Sequence, residues 1–192
     1  MGAHPSGRAA ATLGAAALLV CACLTPAQAA TTAQATSARV AASSGSWGAV
    51  ATTNTTAPYP TGAALVLPFP NTGTTGQPIY PSQFFTVGNT GTLNLTAATY
   101  TATGTPTTAT FTVESCSGVW NETTNTCPGA ITTVLTTATS PQTSTAVPTI
   151  AGQGLRLRAT VTGTIAKSTT PSLTIGISVT RSQARTATTT GS

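Results

Sequence analysis

Aspartate is missing altogether from the 192 residues, and the only histidine is His4. The carboxylates amount to Glu114 and Glu122, and charged residues make up 5% of the chain, against about a quarter of an ordinary soluble protein. Acid/base catalysis needs titratable pairs held close together, and a serine triad needs a histidine with an orienting acid. A transition-metal shell needs imidazole, thiolate or carboxylate ligands. This composition removes most enzyme classes, and we expect no catalytic residue, no metal site and no cofactor. Aromatic residues are scarce too, at 5%, and the cations do not cluster with them. That argues against nucleic acid, whose binding surfaces combine dense positive charge with stacking platforms.

What the chain has in abundance is threonine, 47 residues of it. A β-branched hydroxyl side chain suits a half-exposed pleated surface and weakens a helix. Period-2 alternation follows in several places. Phe85 and Val87 alternate with polar neighbours before the turn Gly88-Asn89-Thr90-Gly91, and Leu93 and Leu95 restart the pattern toward Tyr100. Ala109, Phe111 and Val113 are interleaved with Thr108, Thr110, Thr112 and Glu114, and a further strand is expected near residues 130–137. From Leu155 to Ile165 every odd position is apolar or small and every even one is Arg or Thr; Leu173, Ile175, Ile177 and Val179 repeat the device. Alternation of this kind buries one face and wets the other, as in antiparallel sheets. Six to eight such strands punctuated by Gly, Pro, Asn and Ser predict an all-β fold, an antiparallel β-sandwich of immunoglobulin-like or jelly-roll type. A slip of one residue would bury Arg156 and Arg158, so the register is strongly specified.

The N-terminus reads as an export signal: Arg8, an apolar run from Ala9 to Leu24, and the small-x-small pair Ala27 and Ala29. Cleavage is expected between Ala29 and Ala30, and no remaining run reaches the ~20 apolar residues that span a bilayer. The alternative is lipoprotein anchoring through Cys23, which follows the lipobox-like Val20-Cys21-Ala22. Cleavage leaves Cys116 and Cys127 in an oxidising compartment, where a structural disulfide is expected; closing so short a loop contributes roughly 2–3 kcal/mol.

Residues 30–46 read as a flexible leader, residues 47–181 as the sandwich domain, and residues 182–192 as a disordered tail. Within the domain, residues 47–76 are harder to place: a strand-like piece near Trp47 is followed by the proline-flanked run Ala64–Pro70, whose prolines favour an edge strand. This segment is a candidate exchangeable N-terminal strand.

From about residue 81 to 185 the chain resembles the camelysin/TasA group of secreted biofilm-matrix proteins. The likeness rests on Phe84-Phe85-Thr86-Val87-Gly88-Asn89-Thr90-Gly91-Thr92-Leu93, on the insertion bounded by Cys116 and Cys127, and on the closing Leu155-Arg156-Leu157-Arg158 and Ser178-Val179-Thr180-Arg181-Ser182-Gln183. The resemblance implies a secreted immunoglobulin-like or jelly-roll subunit that joins fibres through donated strands.

The few functional candidates that remain are weak. Glu114 and Glu122 stand on either side of Cys116 and read as surface or loop residues rather than a glycosidase pair, which would sit buried among aromatics. Lys167-Ser168 reads as a loop. After cleavage six cations face two carboxylates, a net charge of +4. Arg156 and Arg158 project from one strand face and are candidate contacts for an anionic polymer; the plainer alternative is that they keep a wet strand soluble. Trp47, Trp120, Tyr59 and Tyr80 are candidate stacking platforms for a glycan, or else core and loop anchors. The expected function is a non-enzymatic structural protein of the cell surface or extracellular matrix, secreted, self-associating or joining other surface proteins by strand addition. The alternative is a monomeric module that binds cell-wall polymer or polysaccharide.

Overall fold

The structure, a computed structural model, describes residues 45–74, 76–166 and 169–184. The export signal, the Ala29–Ala30 junction, Cys23, most of the leader, Lys167 and the residues beyond Ala184 lie outside these. Nine strands follow in chain order: β1 (Ala49–Thr52), β2 (Leu65–Pro68), β3 (Gln83–Asn89), β4 (Ala98–Thr105), β5 (Ala109–Cys116), β6 (Ile131–Thr136), β7 (Gln142–Ser144), β8 (Gly154–Gly163) and β9 (Ser172–Ser178). They form an antiparallel β-sandwich of a five-stranded sheet, β1-β3-β8-β5-β6, and a four-stranded sheet, β2-β9-β4-β7. Only the β5–β6 connection stays within one sheet; each of the others carries the chain across to the opposite sheet.

The alternation read in the sequence specifies the inner faces of β5, β8 and β9 and of β3 at Phe85 and Val87, whereas β4 buries Ala98, Tyr100 and Ala102, out of phase with the expected Leu93 and Leu95 pattern. Phe85, Val87, Phe111, Val113, Leu157 and Ala159 of the first sheet meet Leu67, Tyr100, Ala102, Leu173 and Ile175 of the second, all buried. Phe69, just past β2, is wholly enclosed and lies 5.4 Å, centroid to centroid, from the Phe111 ring in a tilted aromatic pair. Burial raises the pKa of the Tyr100 phenol, and its hydroxyl donates to the Ala146 carbonyl, so the polar end of this core residue is satisfied.

Residues 47–74, expected as part of the domain, join both sheets: β1 pairs with β3 at Ala51↔Val87, β2 pairs with β9 at Leu67↔Leu173, and Phe69 N–H donates to the Pro171 carbonyl at 2.8 Å. One segment thus supplies an edge strand to each sheet, with β2 at the edge as its prolines require. Leu95 belongs to no strand; it is buried and bridges Ala184. That contact, with the short helical turn at Arg181–Gln183, carries the ordered domain past residue 181, so residues 182–184 are not part of a tail. At the other end Ser46 N–H donates to Thr92 Oγ1 at 2.9 Å, which places Gly45 and Ser46 against the domain rather than in a leader. The three-residue β7 had no alternation to announce it.

Candidate functional site

The outer face of the five-stranded sheet carries the one concentration of charge among the described residues. Register places it. Thr86↔Arg156 and Phe84↔Arg158 are partners between β3 and β8, and Glu114↔Arg158 are partners between β5 and β8. Cys116 follows Glu114 two residues on, on the same face. Its disulfide to Cys127, with Cα atoms 5.8 Å apart, draws the β5–β6 connection back over the sheet.

Within that connection, Asn121 and Thr126 exchange backbone hydrogen bonds of 2.9 and 3.2 Å. Asn121 Oδ1 accepts from Thr124 N–H at 3.1 Å. Asn125, at φ 55°, completes the tight turn in a conformation that asparagine tolerates. At its base, Ser117 N–H donates to the Ala130 carbonyl, and Ala130 N–H donates to Ser117 Oγ.

Two arginines clamp the loop onto the sheet. Arg156 Nε and Nη2 donate to the two oxygens of Glu122 at 2.6 and 3.0 Å, a bidentate fork, while Nη1 donates to Thr86 Oγ1 at 3.2 Å. Arg158 Nε and Nη2 donate to Glu114 Oε2 at 3.1 and 2.8 Å, and Nη1 donates to the Asn125 carbonyl at 2.8 Å. The Arg158 guanidinium lies 4.4 Å from the Trp120 ring centroid, and Arg156 lies 5.9 Å from that of Phe84. Trp120 and Phe84 meet edge to face at 5.8 Å. Trp120 is buried, and its Nε1 has no hydrogen-bond partner. The Arg156 hydrogen bond holds the Glu122 carboxyl below the ordinary range, opposed by partial burial and aided by the arginine charge.

Beside the clasp, Tyr59 crosses the same face. A Cβ added at Gly88 or Gly154, which are partners between β3 and β8, would strike its ring or hydroxyl. The two glycines form a slot that only a bare backbone provides.

Around the clasp and Tyr59 the face expected to be wet is therefore covered, while Thr110 and Thr162 on the same face stay exposed. Thr86 and Gly88 are buried, and this part of β3 has cover on both sides. The side chains of Arg158 and Glu114 are 15% and 18% exposed, and those of Arg156 and Glu122 are 23% and 43%. Arg156 and Arg158, the candidate contacts for an anionic polymer, are each paired with a glutamate of the chain. Sequence reasoning missed this because Glu122 lies 34 residues from Arg156 and only the disulfide loop brings them together.

The aromatic candidates do not converge. Trp120 lies beneath Arg158, Tyr59 fills the glycine slot, Tyr80 packs against the core, and Trp47 alone is exposed. Depressions of about 500, 310 and 240 Å³ are lined mainly by Thr, Ala, Ser and aliphatic residues, with no titratable side chain among the lining groups. The largest, between Asn94–Thr96 and Thr149–Ile150, has an asparagine and threonine hydroxyls for polar groups. Comparison with protein-family models, with curated proteins and with solved structures finds no match.

Proposed function

We propose that this is a secreted, non-enzymatic structural protein of the cell surface or extracellular matrix, and that it self-associates by β-strand addition. One observation carries the reading. The four edge strands, β1, β2, β6 and β7, hold no charged residue, although Lys and Glu are the usual means by which sheet edges resist pairing. The four charges of the clasp are tied to one another, leaving Arg181 as the remaining cation among the described residues. Strand addition gives affinity through main-chain hydrogen bonds and fit through alternate side chains, and a hydroxyl-rich, nearly uncharged surface adds little repulsion. The disulfide suits an oxidising compartment, which agrees with the export signal read in the sequence.

Electron microscopy and sedimentation of residues 30–192 in the oxidised form, over a range of concentration, test the reading. Ordered β-rich fibres or oligomers that grow with concentration are expected. A monomer at every concentration overturns it.

The burial of Leu67 and Phe69 favours a second reading. A segment built into both sheets is costly to donate, whereas a monomeric binding module for wall polymer or polysaccharide keeps it as a permanent part of its fold. Retention of a monomer on immobilised polysaccharide would support that reading.

A further inference from the structure

We infer that the end of the sandwich where residues 90–96 meet residues 145–153 is a preformed subsite for a neutral saccharide. This gives a place to the polysaccharide-binding reading and rests on it; self-association is not required.

A buried amide builds this end. Asn89 is 1% exposed; its Nδ2 donates to the Leu93 carbonyl and its Oδ1 accepts from Gly91 N–H, both at 2.9 Å. Its backbone N–H donates to the Gln153 carbonyl at 2.9 Å, and its carbonyl accepts from Gly152 N–H at 3.2 Å. The turn Gly88-Asn89-Thr90-Gly91 is thereby tied to the β7–β8 connection. Further along, Leu95 N–H donates to the Thr149 carbonyl at 3.1 Å and Thr96 N–H to the Gln183 carbonyl at 2.8 Å. Walls joined by backbone bonds are set before a ligand arrives, so little ordering entropy is lost on binding.

Between these walls lies the depression of about 500 Å³, lined by Asn94, Leu95, Thr96, Thr145, Thr149 and Ile150. Its volume falls within the about 300–1,000 Å³ of small-molecule sites. Of the four polar side chains, that of Thr96 donates to the Gln183 carbonyl at 2.9 Å; those of Asn94, Thr145 and Thr149 are exposed and, among the described residues, unengaged. Ile150 is 51% exposed and forms an apolar wall with Leu95. Trp47, 43% exposed, stands at the same end with its Cα against Gly91.

The chemistry of the lining selects the occupant. No charged side chain lines the depression, so neither an anion nor a cation finds a counter-charge there. An extended peptide finds no free ladder, since the Leu95 and Thr96 N–H groups are already bonded. A purely aliphatic ligand would desolvate an amide and hydroxyls without replacing their bonds to water. A neutral sugar ring meets both demands. Its hydroxyls donate and accept, as the asparagine and threonine side chains do, and its C–H faces suit Leu95 and Ile150.

The test is saturation-transfer NMR, which reads monomers and assemblies alike, on oxidised residues 30–192. The probes are neutral oligosaccharides of hexose and of N-acetylhexosamine, with an anionic uronate oligosaccharide beside them. The titrations are repeated on Asn94→Ala, Thr149→Val and, as a control, Thr103→Val, an exposed threonine of β4; unchanged circular dichroism and thermal midpoints verify that each variant folds. A neutral oligosaccharide should bind the parent, Asn94→Ala and Thr149→Val should each bind it about tenfold or more weakly, and Thr103→Val should match the parent. Equal binding by all three variants overturns this subsite and leaves the polysaccharide reading standing at another surface. Preference for the uronate overturns the neutral class. Absence of transfer to every probe overturns the subsite, and if immobilised polysaccharide also fails to retain the protein, the polysaccharide reading falls with it.

Discussion

Between Trp120 and Glu114, the Arg158 guanidinium makes a cation–π contact, an ion pair and a bond to the Asn125 carbonyl. Removing it strands a mostly buried carboxylate and uncovers an indole, so Arg158→Ala is expected to cost about 2–3 kcal/mol. Glu122→Gln touches a more exposed pair and should cost under ~1 kcal/mol. Urea titration of both variants measures the ranking, and an equal cost would show that the two ion pairs are equivalent. Acid should act through the same residue. The folded-state pKa of Glu122 is depressed, so its stabilisation is complete above the unfolded carboxylate value of about 4.3 and is lost as pH falls through the folded value. The urea midpoint of the parent should therefore drop below about pH 4, and Glu122→Gln should remove part of that drop.

At the scale of elements, β3 from Phe85 to Asn89 is covered on both faces, and β8 is partly covered on its outer face around Arg156 and Arg158, although their sequences alternate. The alternation marks the core face correctly, but it reads a Thr, an Arg or a Gly as solvent-facing when another part of the chain returns to cover it. The slot beneath Tyr59 tests that cover. Gly88→Ala should cost about 1–3 kcal/mol through overpacking. Adding Tyr59→Ala should restore part of the loss, a non-additivity expected only of residues in contact. Simple additivity in thermal denaturation would show that Tyr59 does not occupy the slot. Elements with strong alternation, β5, β8 and β9, lie where the sequence places them. β7 has three residues and no alternation, and Leu95 lies on an isolated bridge to Ala184 rather than in a strand.

For the whole molecule, the segment from β1 to Phe69 ties the two sheets together. Phe69→Ala opens a cavity against Phe111 and is expected to cost about 3–5 kcal/mol, while the exposed Val66 on β2 should tolerate Val66→Thr within about 0.5 kcal/mol. Equilibrium unfolding of both variants decides whether this segment is integral. Similar small costs would return it to the role of an exchangeable strand. Backbone amide exchange gives an independent measure, since Phe69 N–H, bonded to Pro171, should exchange only on global unfolding.

Local side-chain chemistry was enough to determine the fold class, the inner faces of β5, β8 and β9 and the pairing of Cys116 with Cys127. Period-2 patterning acts within a strand, and Cys116 and Cys127 are the only two cysteines among the described residues. The order of strands in the sheets, the union of residues 47–74 with both of them, and the clasp that joins Arg156 to Glu122 and Arg158 to Glu114 and Trp120 were decided only in three dimensions. Seven of the eight connections cross between sheets, so chain neighbours are seldom partners. A charge written on an outward face is free or paired according to which distant loop comes back to meet it.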